Sequence, residues 1–224
     1  MKRDTIVFDM DGTVLNTLKD LTASVNFVLQ KYGFPTRTEE EYRRFFGSGI
    51  AYALKCAVPE GTPDSVVDGM IPLFKEHYDR HCLDNTGPYD GIVPLMKRLR
   101  DSGYRLAIVS NKIDSAVKEL NRRFFSEYVD VAIGEGEGVK RKPAPDTVFR
   151  ALRELGASKE TAVYVGDSEV DFQTAVNAGI PCISVLWGFR DKEFLLRRGA
   201  TLFAETPDRV LSILDGMERG KGLD

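Results

Sequence analysis

Ile6-Val7-Phe8-Asp9-Met10-Asp11-Gly12-Thr13 places two carboxylates one residue apart where an apolar run ends in a glycine turn. Side chains alternate between faces along a strand, but residues past its end escape that rule. Asp9 and Asp11 can therefore both turn toward one ligand while Met10 points away. Open parallel sheets bind ligands at this end of their strands. A strand followed by an ordinary acidic turn is the plain alternative, since Asp and Gly are common in turns, and the residues downstream separate the two readings.

Further apolar runs bounded by Gly, Asp or Ser occur at Leu106-Val109, Val131-Ile133, Val163-Val165 and Ile183-Leu186, with helix-period segments between most of them. Strands alternating with helices predict an α/β protein with a parallel, doubly wound sheet. The gap between the first and second runs is too long for one crossover. Residues 14–85 read as an inserted, almost wholly helical domain, with helices near Leu18-Tyr32, Glu39-Phe46, Ile50-Ala57 and Asp64-Leu83. Thr38 followed three residues later by Glu41 has the pattern of a capping box. Residues 1–13 and 86–224 then form the core. An insert directly after the first strand is placed to be a lid, and the polar stretch from Glu218 to Asp224 is expected to fray.

Composition narrows the function. The chain of 224 residues carries 42% hydrophobic and 29% charged residues and a formal charge of -3, ordinary for a soluble domain. It shows no basic stripe interleaved with aromatics, so a small molecule is expected as partner and nucleic acid is not. No apolar run approaches membrane-spanning length, and the N-terminal strand is too short for a signal segment. Cys56, Cys82 and Cys182 are widely spaced without any CxxC, which argues against a disulfide framework and for a reducing compartment. The expectation is a cytoplasmic protein, a monomer or a homodimer.

Four features fall at or just past successive strand ends: Asp9 with Asp11; Ser110-Asn111-Lys112; Lys142 within Lys140-Arg141-Lys142-Pro143-Ala144-Pro145-Asp146; and Gly166-Asp167-Ser168-Glu169-Val170-Asp171. In this order they resemble the four motifs of the haloacid dehalogenase superfamily of phosphohydrolases. The resemblance implies a Rossmann-like core with a helical cap and a Mg²⁺-dependent reaction on a small phosphate ester. Asp9 is then the nucleophile that forms an aspartyl-phosphate. Asp11 is the acid that protonates the leaving group and the base that later activates water. Lys142, Ser110 and donors at Asp11 and Asn111 hold the phosphate oxygens. Asp9, Asp167 and the Asp11 carbonyl bind the metal, and Asp171 binds it through water or orients Lys142; helix capping is the alternative for Asp167, Ser168 and Asp171.

Within the superfamily, an insert directly after the first motif resembles the branch of phosphoglycolate phosphatases, pyrophosphatases, β-phosphoglucomutases and dehalogenases. Dehalogenases lack a counterpart of Asp11, and the mutases carry a lid histidine where this chain has Leu21. Ser110-Asn111-Lys112, Tyr89-Asp90-Gly91, the Lys142 segment and Leu186-Trp187-Gly188-Phe189-Arg190 resemble phosphoglycolate phosphatases. Asn16-Thr17 and Val170 depart from common family residues without removing a reacting group. The expected substrate is 2-phosphoglycolate. Pyrophosphatase, sugar-phosphate or nucleotide phosphatase and phosphomutase are the enzymatic alternatives, and a phospho-accepting signalling domain is the non-enzymatic one. Asp20, Arg43, Arg44 and the Gly47-Ser48-Gly49 loop are candidate contacts to the leaving group. His77 and His81 share a helix face without an evident third ligand, and Gly134–Gly138 reads as a flexible connection that delivers Lys142.

Overall fold

The structure, a computed structural model, describes residues 3–136 and 138–218; beyond the main chain of Glu218, the tail expected to fray lies outside them. Its strands are β1 (Thr5–Phe8), β2 (Leu15–Asn16), β3 (Gly87–Pro88), β4 (Arg105–Ile113), β5 (Val131–Glu135), β6 (Ala162–Gly166), β7 (Cys182–Val185) and β8 (Phe203–Ala204). Its helices are α1 (Leu18–Lys31), α2 (Glu39–Phe45), α3 (Ile50–Ala57), α4 (Asp64–His81), α5 (Ile92–Asp101), α6 (Asp114–Phe124), α7 (Asp146–Glu154), α8 (Glu169–Ala178), α9 (Lys192–Arg197) and α10 (Pro207–Glu218). The chain divides into two compact units, one of residues up to Leu15 and from Pro88 onward, the other of Asn16–Gly87. Both crossings fall in β2 and β3, which pair with each other.

In the first unit six strands form one sheet in the order β5-β4-β1-β6-β7-β8, and every neighbouring pair is parallel. The apolar runs are near-continuous because both faces of the sheet are covered. Ile6 and Phe8 of β1 pack on one face with Leu95 and Met96 of α5, Leu120 of α6 and Leu214 of α10. Val7 turns to the other face with Ala107, Tyr164, Val148 and Leu152 of α7 and Ala175 of α8. Each large apolar side chain buried this way contributes roughly 1.5–3 kcal/mol. The chain runs from β1 out to β4 and β5 on one side, then returns to β6 on the other. The carboxyl ends of β4, β1 and β6 therefore flank the point where strand order reverses, which is where open α/β sheets bind ligands.

Three details differ from the sequence reading. β4 runs on to Ile113, so Ser110-Asn111-Lys112 lies inside the strand and not past its end. β8 has only two residues, too few to show as an apolar run. Gly134 and Glu135 belong to β5 and not to a flexible connection, with Glu137 outside the described residues. A Cβ at Gly134 would sit 2.5 Å from the Asp114 Cα and 2.6 Å from the Lys112 carbonyl oxygen, so glycine there lets β5 press against the end of β4.

The second unit is four helices, with α1 and α3 packed on α4 and α2 between them. Leu29, Tyr42, Leu54 and Met70 are the largest of its fully buried side chains among the described residues. Thr38 and Glu41 form the reciprocal capping box at the start of α2. Asp20, in the first turn of α1, is buried. Its Oδ2 accepts hydrogen bonds from the Asn85 amide at 3.0 Å, the Thr86 amide at 2.8 Å and the Thr86 hydroxyl at 2.8 Å, and its Oδ1 accepts one from Asn85 Nδ2 at 2.8 Å. The carboxylate thus ties the returning segment to the first helix. Asp20→Ala leaves several donors with no partner and should lower unfolding stability by roughly 3 kcal/mol, read as a lower urea midpoint; an unchanged midpoint would show that the clamp contributes nothing.

Candidate active site

Asp9 follows β1 directly, its amide donating to the Val165 carbonyl at 2.9 Å, so its main chain extends the β1–β6 pairing by one residue. Met10 turns into the core, which leaves the side chains of Asp9 and Asp11 at the sheet's carboxyl end. Gly12 then takes a left-handed φ of 83°, and a Cβ on it would collide with the Asp167 carboxylate. The same holds at Gly188, whose Cβ would meet both Asp167 and the Gly12 carbonyl. Two glycines thus allow backbone to close on Asp167 from two sides.

Lys142 Nζ donates to Asp9 Oδ1 at 2.6 Å, to Asp171 Oδ1 at 2.7 Å and to the Tyr164 hydroxyl at 3.1 Å. All four side chains are buried. The lysine's main chain is bracketed by Asn111, whose Oδ1 accepts from the Lys142 amide at 2.8 Å and whose Nδ2 donates to the Lys142 carbonyl at 3.1 Å. Asp171 is filled by donors. Its Oδ1 also accepts from the Tyr164 hydroxyl at 3.0 Å, and its Oδ2 from the Ser168 hydroxyl at 2.6 Å and the Ser168 amide at 3.1 Å. Four donors and the lysine's charge suit Asp171 to orienting Lys142, since a carboxylate offers about four lone-pair sites.

Asp167 accepts from the Phe189 amide at 2.6 Å and the Thr13 hydroxyl at 3.3 Å, which among the described residues leaves lone pairs unused. Two residues after Asp9, Asp11 Oδ2 lies 3.4 Å from the Ser110 hydroxyl and its Oδ1 lies 3.1 Å from Lys112 Nζ. Trp187 donates to the Thr13 carbonyl at 2.9 Å, and Arg190 forms a two-point ion pair with Glu169.

Burial dominates the electrostatics. It lifts the Asp9 carboxyl well above the ordinary range, helped by the Asp171 charge and opposed by Lys142. Burial and Asp171 push Asp167 up to about 7, against the Phe189 amide and Arg190. Burial would raise Asp171 too, but Lys142 and the Ser168 and Tyr164 hydrogen bonds hold it below the usual value. For Lys142, burial works against the charged form, yet Asp171 and Asp9 together raise it. One ammonium is thus shared among three crowded carboxylates. Asp9, Asp167 and Asp171 bring ligand oxygens within 4.8 Å of one another. Hard oxygen donors, crowded like charges and unused lone pairs on Asp167 fit a divalent cation such as Mg²⁺.

Asp9, Asp11, Ser110, Asn111, Lys142, Asp167 and Asp171 all belong to the first unit and lie just past β1 and β6, in the second half of β4, in the first turn of α8 or in the segment that Asn111 brackets. Of the residues nominated in the second unit, Asp20 has both oxygens committed to Asn85 and Thr86. Arg43 and Arg44 are exposed on α2, and Gly47 and Ser48 are half-buried between α2 and α3. His77 pairs with Ser24 at 3.0 Å and His81 with Asp84 at 2.7 Å; the one cluster among the described residues with the makings of a metal site is the aspartate set. Tyr164 and Thr13 escaped the sequence reading, and their only signal was a hydroxyl within or just beyond an apolar strand.

The family model described as haloacid dehalogenase-like hydrolase matches residues 6–185. The chain belongs to this family. It is 31% identical over 196 residues to a phosphoglycolate phosphatase of Mesorhizobium japonicum, covering 86% of each chain. It is 28% identical over 196 residues to pyrophosphatase PpaX of Halalkalibacterium halodurans, covering 87% of this chain and 89% of that protein. A crystal structure from Lactobacillus delbrueckii subsp. bulgaricus, assigned by inference as a phosphoglycolate phosphatase, superposes with a TM-score of 0.91 and 38% identity, covering 96% of this chain and 99% of that one. Like these haloacid dehalogenase-like hydrolases, the chain is a phosphatase, of a family that acts on small phosphate esters and uses a divalent metal. None of its described helices is long and apolar enough to cross a membrane.

Two outcomes follow from the setting of Asp167. Gly188→Ala should lower activity roughly a hundredfold by displacing that carboxylate, with far-ultraviolet circular dichroism unchanged; activity within threefold would show that its placement is unimportant. Because the folded-state value near 7 lies above the unfolded value near 3.8, this group's stabilisation is full below about pH 4 and lost as pH rises to about 7. In metal-free protein, Asp167→Asn should therefore flatten the fall in urea midpoint between pH 5 and pH 8, and parallel curves for variant and parent would refute the assignment.

Proposed function

We propose that this phosphatase hydrolyses 2-phosphoglycolate to glycolate and phosphate through an aspartyl-phosphate on Asp9, with Mg²⁺ as its metal. The observation that carries the reading is Lys142 Nζ held 2.6 Å from Asp9 Oδ1 at the carboxyl end of β1. That geometry keeps a carboxylate oxygen and a fixed positive charge together where a phosphoryl group would be received. The sequence match to a phosphoglycolate phosphatase supports the choice of substrate, and the match to a pyrophosphatase favours pyrophosphate as second choice.

In this mechanism an Asp9 oxygen attacks phosphorus and the bond to the leaving oxygen breaks in line with it. Asp11 gives its proton to the departing alkoxide, so glycolate leaves as an alcohol. Asp11, now a carboxylate, takes a proton from the water that attacks the phosphoaspartate, restoring Asp9 and releasing phosphate. Lys142 and the Ser110 hydroxyl hold the phosphoryl oxygens as charge shifts among them. Asp9, Asp167 and the Asp11 main-chain carbonyl would hold the metal, while Asp171 keeps Lys142 oriented. When bound, the cation offsets the repulsion between an anionic nucleophile and an anionic phosphate.

The test is the initial rate of phosphate release, with and without Mg²⁺, from 2-phosphoglycolate, pyrophosphate, sugar phosphates and nucleotides. A metal-dependent preference for 2-phosphoglycolate is expected; a preference for pyrophosphate or a sugar phosphate would replace the substrate and keep the chemistry. Asp9→Asn should lose activity by roughly a thousandfold or more with the fold intact, and turnover near that of the parent would remove Asp9 as nucleophile.

A further inference from the structure

The Ser110-Asn111-Lys112 run ends in a lysine to which the mechanism above gives no task. Ser110 and Lys112 lie where the register of β4 against β5 shifts, and both reach Asp11. The Lys112 side chain is only 6% exposed and its Nζ lies 3.1 Å from Asp11 Oδ1. That oxygen is shut off from solvent and accepts no hydrogen bond among the described residues, so the ion pair compensates its burial. The lysine's backbone is seated firmly. Its amide donates to Ser110 Oγ at 3.1 Å, and its carbonyl presses on Gly134 of β5.

We propose that Lys112 is a positioning residue for Asp11, fixing which carboxylate oxygen handles the proton. An ammonium has donors only, so Oδ1, which faces the Lys112 charge at 3.1 Å, stays unprotonated. The proton that Asp11 delivers then sits on Oδ2, the oxygen 3.4 Å from the Ser110 hydroxyl. As the ester bond breaks, that proton passes to the alkoxide, and Lys112 keeps all of its own. Two lysines thus have separate tasks: Lys142 serves the nucleophile and Lys112 the acid. The inference rests on the acid–base role proposed for Asp11.

The experiment compares kcat/KM, which counts steps only through departure of the leaving group, for three substrates with Mg²⁺ present. Ethyl phosphate has a poor leaving group and no second charge, p-nitrophenyl phosphate has a good leaving group, and 2-phosphoglycolate carries a carboxylate. Lys112→Met should lose roughly tenfold or more on ethyl phosphate and on 2-phosphoglycolate. On p-nitrophenyl phosphate it should change less than about threefold, and the inhibition constant of inorganic phosphate should stay the same, with Lys112→Arg recovering most of the loss. Lys112→Gln replaces the Met variant if that one does not fold. Equal losses on all three substrates, weaker phosphate inhibition, or a loss confined to 2-phosphoglycolate would each overturn the proposal, the last by making Lys112 a carboxylate-binding residue. Asp11→Asn separates the two readings: it should show the same contrast more steeply, and a variant without contrast would sink the acid–base role itself.

Discussion

The ammonium of Lys142, buried between Asp9 and Asp171, sets the geometry of the whole candidate site. Removing one member of such a cluster strands a charge in a medium that cannot solvate it, so each group holds the others in place. The dependence runs outward. Asp171 is aimed by the hydroxyl and amide of Ser168 and by Tyr164, and the Lys142 main chain is gripped by the Asn111 amide group. Two strands and a helix start therefore converge on one nitrogen atom.

This arrangement leaves the site short of positive charge. Asp9 and Asp167 are raised because burial and neighbouring carboxylates disfavour their ionised forms. Such crowding weakens the fold by itself and is relieved by a cation that meets several oxygens at once. The same donors and charges stand ready before substrate arrives, so little reorganisation is left for the reaction. Close backbone contact at Gly12 and Gly188 is part of that preparation, because neither turn leaves room for a side chain beside Asp167.

Much of this was legible from one rule, that open parallel sheets work at their strands' carboxyl ends. The rule picks out Asp9, Asp11, Ser110 and Asp167 because each falls within three residues of the end of an apolar run. Tyr164 stayed hidden because a tyrosine inside a strand reads as core, and most of its ring is core; only the hydroxyl reaches Lys142. The Phe189 amide leaves no trace in a side-chain pattern. Asp20 looked like an acid available to a ligand at a helix start, while its partners Asn85 and Thr86 stand more than sixty positions away. Gly134 looked like slack chain because the backbone it makes room for belongs to another strand.

The pairing of β2 with β3 has a consequence for how the chain finds its fold. Val7 of β1 aligns with Ala107 of β4, about a hundred residues later, and closing so long a loop is entropically unfavourable. The four helices of the second unit make contacts with one another across spans shorter than that hundred residues, and contacts of smaller separation form earlier. Once those helices have assembled, with Asp20 fastening the returning segment, the two ends of the insert are already side by side. The sheet then closes as if the insert were a short loop, and neither the length nor the content of those seventy-odd residues sets the entropy of joining its central strands.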